Sequence, residues 1–470
     1  MADASDELAH PSSTLTRGDL LKRGAAGAFA VGMFGGLADK SFGFYGPLQF
    51  AKKQLAGELR IMTWLHFVPA YDTWLLDTYA KRWGEANDVE VKINRINNAN
   101  LYSNGASEVA SGEGHDLHWF ISPPSTFQKQ AIPVTDLVQE VSKKLGPMTR
   151  VARKSTYNPK TKQFFGFPES YAPDPVHYRR SYLQEVGGSL RTWEDLRKAA
   201  PKLKAAGHPV GLGMSNEIDS NMLLTSLLYC YGGFIQNEEN RIVIGQGANR
   251  RGAIEALTVM RDIFRNGMTD EVFAWTAASN NQAFVGGRLS VALNAISICR
   301  TAELQNQAIA DDTWLASIPR GPAMRMGNEH VMGVYLIWRF AKNKEAAQKY
   351  VVDQMLNYRE HFVRSGYYNF PPWTGSIKGG FKTIRQLTAR DTHKPRGKYT
   401  ILTTIAERYT TNPGHPGNTT PVIDEIFNTF LIPQMFAEVA QGKMTPAEGV
   451  SAFARKANAI YRKWKNQGLV

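Results

Sequence analysis

Cysteine is almost absent. Cys230 and Cys299 are the only two in 470 residues, far apart and each inside an apolar segment, so neither a zinc site nor a disulfide framework is signalled. Both read as buried free thiols, and sequence leaves a bridge between them open. Blocks of one charge are missing as well. The formal net charge is +13, yet Lys and Arg are spread along the chain without a run of five or six, which argues against nucleic acid as a partner. There is no Gly-x-Ser-x-Gly elbow to suggest a serine hydrolase. His115 and His118 flank Asp116, but a three-residue spacing in a strand sends them to opposite faces, so no metal is expected there. No cofactor is signalled.

Long apolar runs are scarce too. The longest, Gly24 to Ala38, reads GAAGAFAVGMFGGLA and follows the basic stretch from Thr16 to Arg23, TRGDLLKR. It is too short to cross a bilayer and has the basic-then-apolar shape of an export signal. The order resembles the twin-arginine export motif, with Gly18 where the second arginine belongs. No cysteine follows the run, so a cysteine-linked lipid anchor is not expected. Residues 1–56 therefore read as signal and linker, and the mature chain as periplasmic or held at the outer face of the membrane.

What is present is a large globular core: 43% hydrophobic residues and 11% aromatic ones. A chain this long exceeds the size at which single cores usually split, so two lobes are expected. ELRIMTW from Glu58 is a strand; Leu76, Tyr79 and Trp83 recur at helical spacing; VEVKINRI alternates; and DLHWFI from Asp116 follows a second helical stretch. That order predicts parallel strands with helices between them, an open doubly wound α/β sheet whose ligands gather beyond the carboxyl ends of its strands. After the proline-rich FFGFPESYAPDPVHY, the order repeats. Thr192 with Glu194 and Asp195 caps a helix, PVGLGM is strand-like, and Ile254, Leu257, Met260 and Phe264 share one helix face. Thr445 and Glu448 form a capping box before the last helix. In QAFVGGRLSVALNA, from Gln282, a helix should stop with Gly286 or Gly287 left-handed. Arg288 should then face solvent or the helix's last carbonyls, and a short strand should deliver Asn294.

Taken in order, these segments resemble the extracellular solute-binding proteins of bacterial ABC importers, the family that includes the maltodextrin-binding proteins. ELRIMTW is similar to the family's first strand, GEGHDLHWF to its Gly-x-Asp strand, and FGFPESYAPDPVHYRRSYLQEVG to its hinge crossing. QAFVGGRLSVALNA looks like its Phe-x-x-Gly-Lys/Arg segment, HVMGVYLIWRFAKNKEAAQKYV like its return crossing, and MTPAEGVSAFARKANAIYRKW like its terminal helix. The resemblance implies two α/β lobes joined by hinge strands, lobe one over 57–168 and 331–378, lobe two over 169–330 and 379–470. It further implies a monomer that closes on a small solute, a saccharide, and hands it to membrane permease subunits, with no catalysis.

A sugar needs flat aromatic surfaces and paired hydrogen-bonding groups. The loop after the first strand offers Trp64, His66, Tyr71 and Asp72. Trp119 ends the third strand, with Phe120 as the alternative because neighbours in a strand face opposite ways. Tyr171 and Asp174 lie in the expected hinge crossing, and Asn216, Asp219 and Asn221 between strand and helix in lobe two. Trp275, Asn294, Tyr367 and Trp373 complete the candidates, while Trp83 and Trp338 are read as core. Each candidate also has a bland reading: the tryptophans as core, His66 as a plain histidine, Asp72 as a helix-start residue. The rival function is a secreted glycoside hydrolase with Glu169 and Asp174 as its carboxylate pair.

Overall fold

In chain order the strands are Glu58–Trp64 (β1), Glu90–Ile96 (β2), Leu117–Phe120 (β3), Tyr157–Asn158 (β4), Gln163–Phe164 (β5), Phe167–Ala172 (β6), Val176–Arg179 (β7), Val210–Gly211 (β8), Val291–Leu293 (β9), Thr313–Ala316 (β10), Gly327–Asn328 (β11), Val331–Ile337 (β12) and Thr410–Thr411 (β13). They come from a computed structural model that describes residues 48–50 and 55–470. The expected export signal lies outside the described residues. Among the described residues, no helix is long and apolar enough to cross a membrane.

The first sheet runs β2-β1-β3-β12-β6. Its three leading strands are parallel, as the sequence order predicts, and β12 lies antiparallel to both β3 and β6. All seven residues of β12, VMGVYLI, are buried, as a strand covered on both faces requires. The second sheet runs β10-β7-β9-β8, with β8 and β9 parallel and β7 antiparallel to β9 and β10. Every residue of the helix Ile218–Cys230 is buried, which makes it the spine of the second lobe's core. Both expected helix caps form, each as a capping box: Thr192 with Asp195 opens Trp193–Ala205, and Thr445 with Glu448 opens Pro446–Asn466.

The helix Ser279–Val285 ends at Gly286, whose φ is −74°, and the left-handed residue is Gly287 at φ +76°. Arg288 points outward and pairs with Glu271 at 2.9 Å. Cys230 and Cys299 are buried free thiols. The reading of His115 and His118 needs correction, because His115 precedes β3 and strand alternation does not govern it. Both histidines reach one carboxylate: His115 Nδ1 lies 2.5 Å from Glu108 Oε1, and His118 Nδ1 lies 3.2 Å from Oε2. Trp338 Nε1 also donates to Glu108, at 2.9 Å. Burial alone would raise the Glu108 pKa, but the two histidine hydrogen bonds outweigh it and hold the carboxyl well below the usual range.

The chain leaves the first sheet at Ala172 and enters the second at Val176, so one crossing is residues 173–175. It returns through β11 and the residues before β12. Asp174 in the first crossing and His330 in the second meet there. His330 Nδ1 lies 3.2 Å from Asp174 and Nε2 lies 3.2 Å from Asp219, at the head of Ile218–Cys230. Only an imidazolium can donate from both ring nitrogens. Burial would lower the His330 pKa, but the two carboxylates push it up to about 10.

Because this folded value lies above the ordinary 6.5, the stabilisation is full below about pH 6.5 and is lost as pH rises through about 10. Removing the cation strands two buried carboxylates. His330→Ala should therefore cost about 3–5 kcal/mol in urea denaturation at pH 6, and a loss under about 1 kcal/mol would contradict the assignment.

Candidate functional site

A cavity of about 620 Å³ opens between the lobes, beyond the carboxyl ends of the parallel strands where doubly wound sheets gather ligands. The first lobe contributes Phe67 after β1, then Asn97, Asn98, Asn100 and Tyr102 after β2, and Phe120, Ile121 and Ser122 at the end of β3. Facing them are Asn216, Glu217 and Ile218 after β8, and Trp275 and Thr276 ahead of Ser279–Val285. Phe427, Asn428 and Phe430 close the wall between helices Pro421–Asn428 and Leu431–Ala440. Each lobe thus presents three aromatic rings, interleaved with asparagine amides.

The lining holds no Lys, Arg or His, and Glu217 is its one carboxylate. That side chain caps Ile218–Cys230, accepting from the Asp219 backbone N–H at 2.7 Å, from the Ser220 N–H at 2.5 Å and from the Ser220 hydroxyl. Burial and the charge of Asp219 push its pKa up to about 8. In a chain of net charge +13, the cleft is an almost uncharged region.

The walls are braced from behind. Asp219 accepts from Asn280 at 2.8 Å and from Asn294 at 3.0 Å, and Asn294 also donates to Asn281 at 2.8 Å. Asn221 Nδ2 donates to the carbonyl of Phe427 at 2.8 Å. Asp424 joins the lobes: it accepts from the backbone N–H of Thr126 at 2.7 Å and from Asn428 Nδ2 at 2.6 Å. Thr126 Oγ1 in turn lies 2.7 Å from the Tyr102 hydroxyl. Asp424 thereby holds one cavity residue from each side, and burial pushes its pKa up to about 7 against these hydrogen bonds.

Of the residues chosen from sequence, Asn216 and Trp275 line the cavity, and Phe120 does so in place of Trp119. Asp219, Asn221 and Asn294 lie one layer behind, buried in the bracing just described. The remainder turn inward. Trp64 and Trp119 stack at 5.1 Å, and Trp119 Nε1 donates to Glu169 at 3.2 Å. Because strand alternation commits Phe120 to the other face, Trp119 is left in the core. His66 accepts from the Val68 N–H and lies 3.2 Å from Asn369 Oδ1, with burial lowering its pKa to about 4. The Tyr71 hydroxyl lies 2.8 Å from His361 Nδ1. Asp72 sits in the first turn of the helix that opens at Pro69, holding the His66 N–H and Arg95.

Tyr171 is fully buried and bridges backbone to Phe370. Asp174 is committed to His330. Tyr367, at φ +70°, donates its hydroxyl to the Leu387 carbonyl, and Trp373 is fully buried and donates to Ser142. The hydrolase pair fares no better. Glu169 is buried, with donors Ser170, Trp119, Gln354 and Tyr358 around it, and neither it nor Asp174 lines the cavity.

Sequence reasoning passed over Phe67, the asparagines of INRINNANLY, Ser122, Thr276 and the Phe427–Phe430 corner. The strand-end rule that selected Trp64 and Trp119 also marks the loop after β2. Phe430 carried no such signal, since it depends on a left-handed backbone at φ +55°.

Two α/β lobes, two crossing segments and a cleft lined from both sides define a two-lobed binding-protein fold. The family model for bacterial extracellular solute-binding proteins matches residues 75–352, more than half of the chain, and the chain belongs to that family. A binding protein of Brucella abortus is 23% identical over 190 residues, which are 39% of this chain and 45% of that protein; this chain thus spans about half the length of the curated relatives it matches. Among solved structures, maltose-bound MalE3 of T. maritima superposes at a TM-score of 0.69 with 16% identity, over 86% of this chain and 100% of that one. A sugar transporter of Arthrobacter chlorophenolicus with bound laminaribiose gives 0.69 and 17%, over 86% and 99%. An oligosaccharide periplasmic-binding protein of Synechococcus in complex with zinc gives 0.70 and 12%, over 88% and 100%. At these identities the likeness is one of fold.

The folded Asp424 carboxyl binds its proton more tightly than the unfolded one does, so stability should fall as pH rises from about 4 to about 7. Asp424→Asn should flatten that part of the wild-type pH–stability curve. An unchanged slope in the variant would show that the carboxyl is ionised throughout.

Proposed function

We propose that the protein captures a neutral, polyhydroxylated solute, a saccharide of one to a few rings, between its lobes and delivers it to the membrane subunits of an ABC importer. One observation carries the reading: three aromatic rings from each lobe face a shared cavity whose polar groups are amides and hydroxyls, with no cation. Aromatic faces suit the apolar faces of sugar rings, and amides supply the paired donor and acceptor that vicinal hydroxyls use. An anionic solute would find no guanidinium or ammonium to pair with, which disfavours phosphorylated sugars and glycerophosphodiesters. The relatives whose structures hold maltose and laminaribiose point the same way.

Because both lobes must touch the solute, binding favours the closed arrangement over any open one. We take lobe one as 57–168 with 331–378 and lobe two as the rest. Sheet membership supports moving the first crossing to 173–175. Export to the outside of the cell membrane and action as a monomer belong to the same proposal, and no turnover is required of any residue.

The test is a thermal-shift screen of neutral mono- and disaccharides beside their phosphorylated counterparts and amino acids. Neutral sugars should raise the melting temperature, because a ligand bound only by the folded state stabilises it, and they should be recovered unchanged. Trp275→Ala should weaken binding by about 2 kcal/mol or more, while Arg288→Ala, paired to Glu271 outside the cavity, should leave it unaltered. Selective stabilisation by phosphorylated sugars, or release of reducing ends at catalytic rates, would overturn the reading.

A further inference from the structure

Outside the cleft, two places concentrate charge. Glu303, Asp391 and His393 bring ligand atoms within 4.8 Å of one another, but Arg300 and Lys398 already pair with these carboxylates at 2.7–2.9 Å. Two cations in the cluster leave no role for a metal. The second place is a cavity of about 250 Å³ lined by Thr149, Arg150, Arg408, Thr411 and His415, among others.

This cavity lies against the hinge. Its Arg150 belongs to the helix Arg150–Thr156, which packs on β6 and β12 of the first sheet. Its opposite wall is the 406–415 segment, which carries β13, the partner of β11 in the return crossing. Among the described residues, neither Arg150 nor Arg408 has a carboxylate partner. Glu407, the one acid in the lining, is 3.9 Å from Arg385. Lys154 is near, donating to the carbonyl of Pro416.

We propose that this hinge cavity is an oxyanion site, which seats a phosphate group between the guanidinium groups of Arg150 and Arg408 and so links the helix Arg150–Thr156 to the segment that leads into β13. Guanidinium forks match the oxygens of a tetrahedral oxyanion, and two unpaired ones lining the same cavity attract an anion more strongly than either alone. The local field supports this. Burial, then Arg150 and Lys154, lower the His415 pKa to about 4, and burial, then Arg150, lower that of Lys154, with Glu238 opposing. Burial is the larger cause of both shifts, and the positive charge of Arg150 adds to each. The site is distinct from the neutral cleft, and its occupant is an effector of the hinge rather than the transported solute.

The test uses the full chain with inorganic phosphate, against sodium chloride at matched ionic strength. Phosphate should raise the melting temperature saturably by about 1–3 °C, and proton NMR should show the His415 ring titrating at higher pH once the anion is bound. Arg150→Ala and Arg408→Ala, both at exposed positions, should each weaken phosphate about ten-fold or more. Equal effects of chloride and phosphate, an unmoved His415, or a phosphate response surviving in both variants would each overturn the proposal. Co-sedimentation with vesicles bearing anionic phosphate headgroups, without any response to free phosphate, would assign the charge to a membrane surface instead and overturn it too.

Discussion

The architecture depends on one buried cation. His330 sits between Asp174 and Asp219 at 3.2 Å from each, and these three residues come from the two crossings and from the head of the second lobe's central helix. Without the charge on the ring, two carboxylates would share a buried space, which is costly unless they are paired. With it, Asp219 is fixed, and Asp219 orients Asn280 and Asn294 behind the cavity wall. Asp219, two residues past Glu217 of the cleft lining, is thus held by a hinge residue. Crossing geometry and binding surface are connected through a single ion triad.

Periodicity carried most of the fold. Parallel strands β1 to β3, the helix caps at Thr192 and Thr445, and the glycine stop before β9 were all legible, because each rests on local chemistry. The site was legible at strand ends and at Trp275, ahead of the helix Ser279–Val285. Trp64, Trp119 and Trp373 have the composition of a sugar site but bury themselves, since a large ring next to another large ring gains more by stacking inward than by facing water. His66 and Tyr71 were drawn in by Asn369 and His361, more than two hundred residues away in sequence. Contacts of that separation have no trace in one sequence.

Charge is distributed with a consistent logic. The surface is basic, yet the cleft excludes basic residues and holds a lone carboxyl that burial drives towards neutrality. Uncharged amides and rings can close over a neutral solute without desolvating an unpaired ion. Unpaired cations instead line the second cavity, at Arg150 and Arg408, outside the cleft. Asp424 holds the remaining side, linking Thr126 to Asn428.

The ion triad is the claim on which the account turns, and nitrogen-15 NMR of the His330 ring measures it directly. Both ring nitrogens should report as protonated at pH 8, well above the ordinary histidine range, and remain so until pH approaches 10. A neutral ring at pH 8, with one nitrogen bare, would mean that the crossings are not held by charge and would contradict the account.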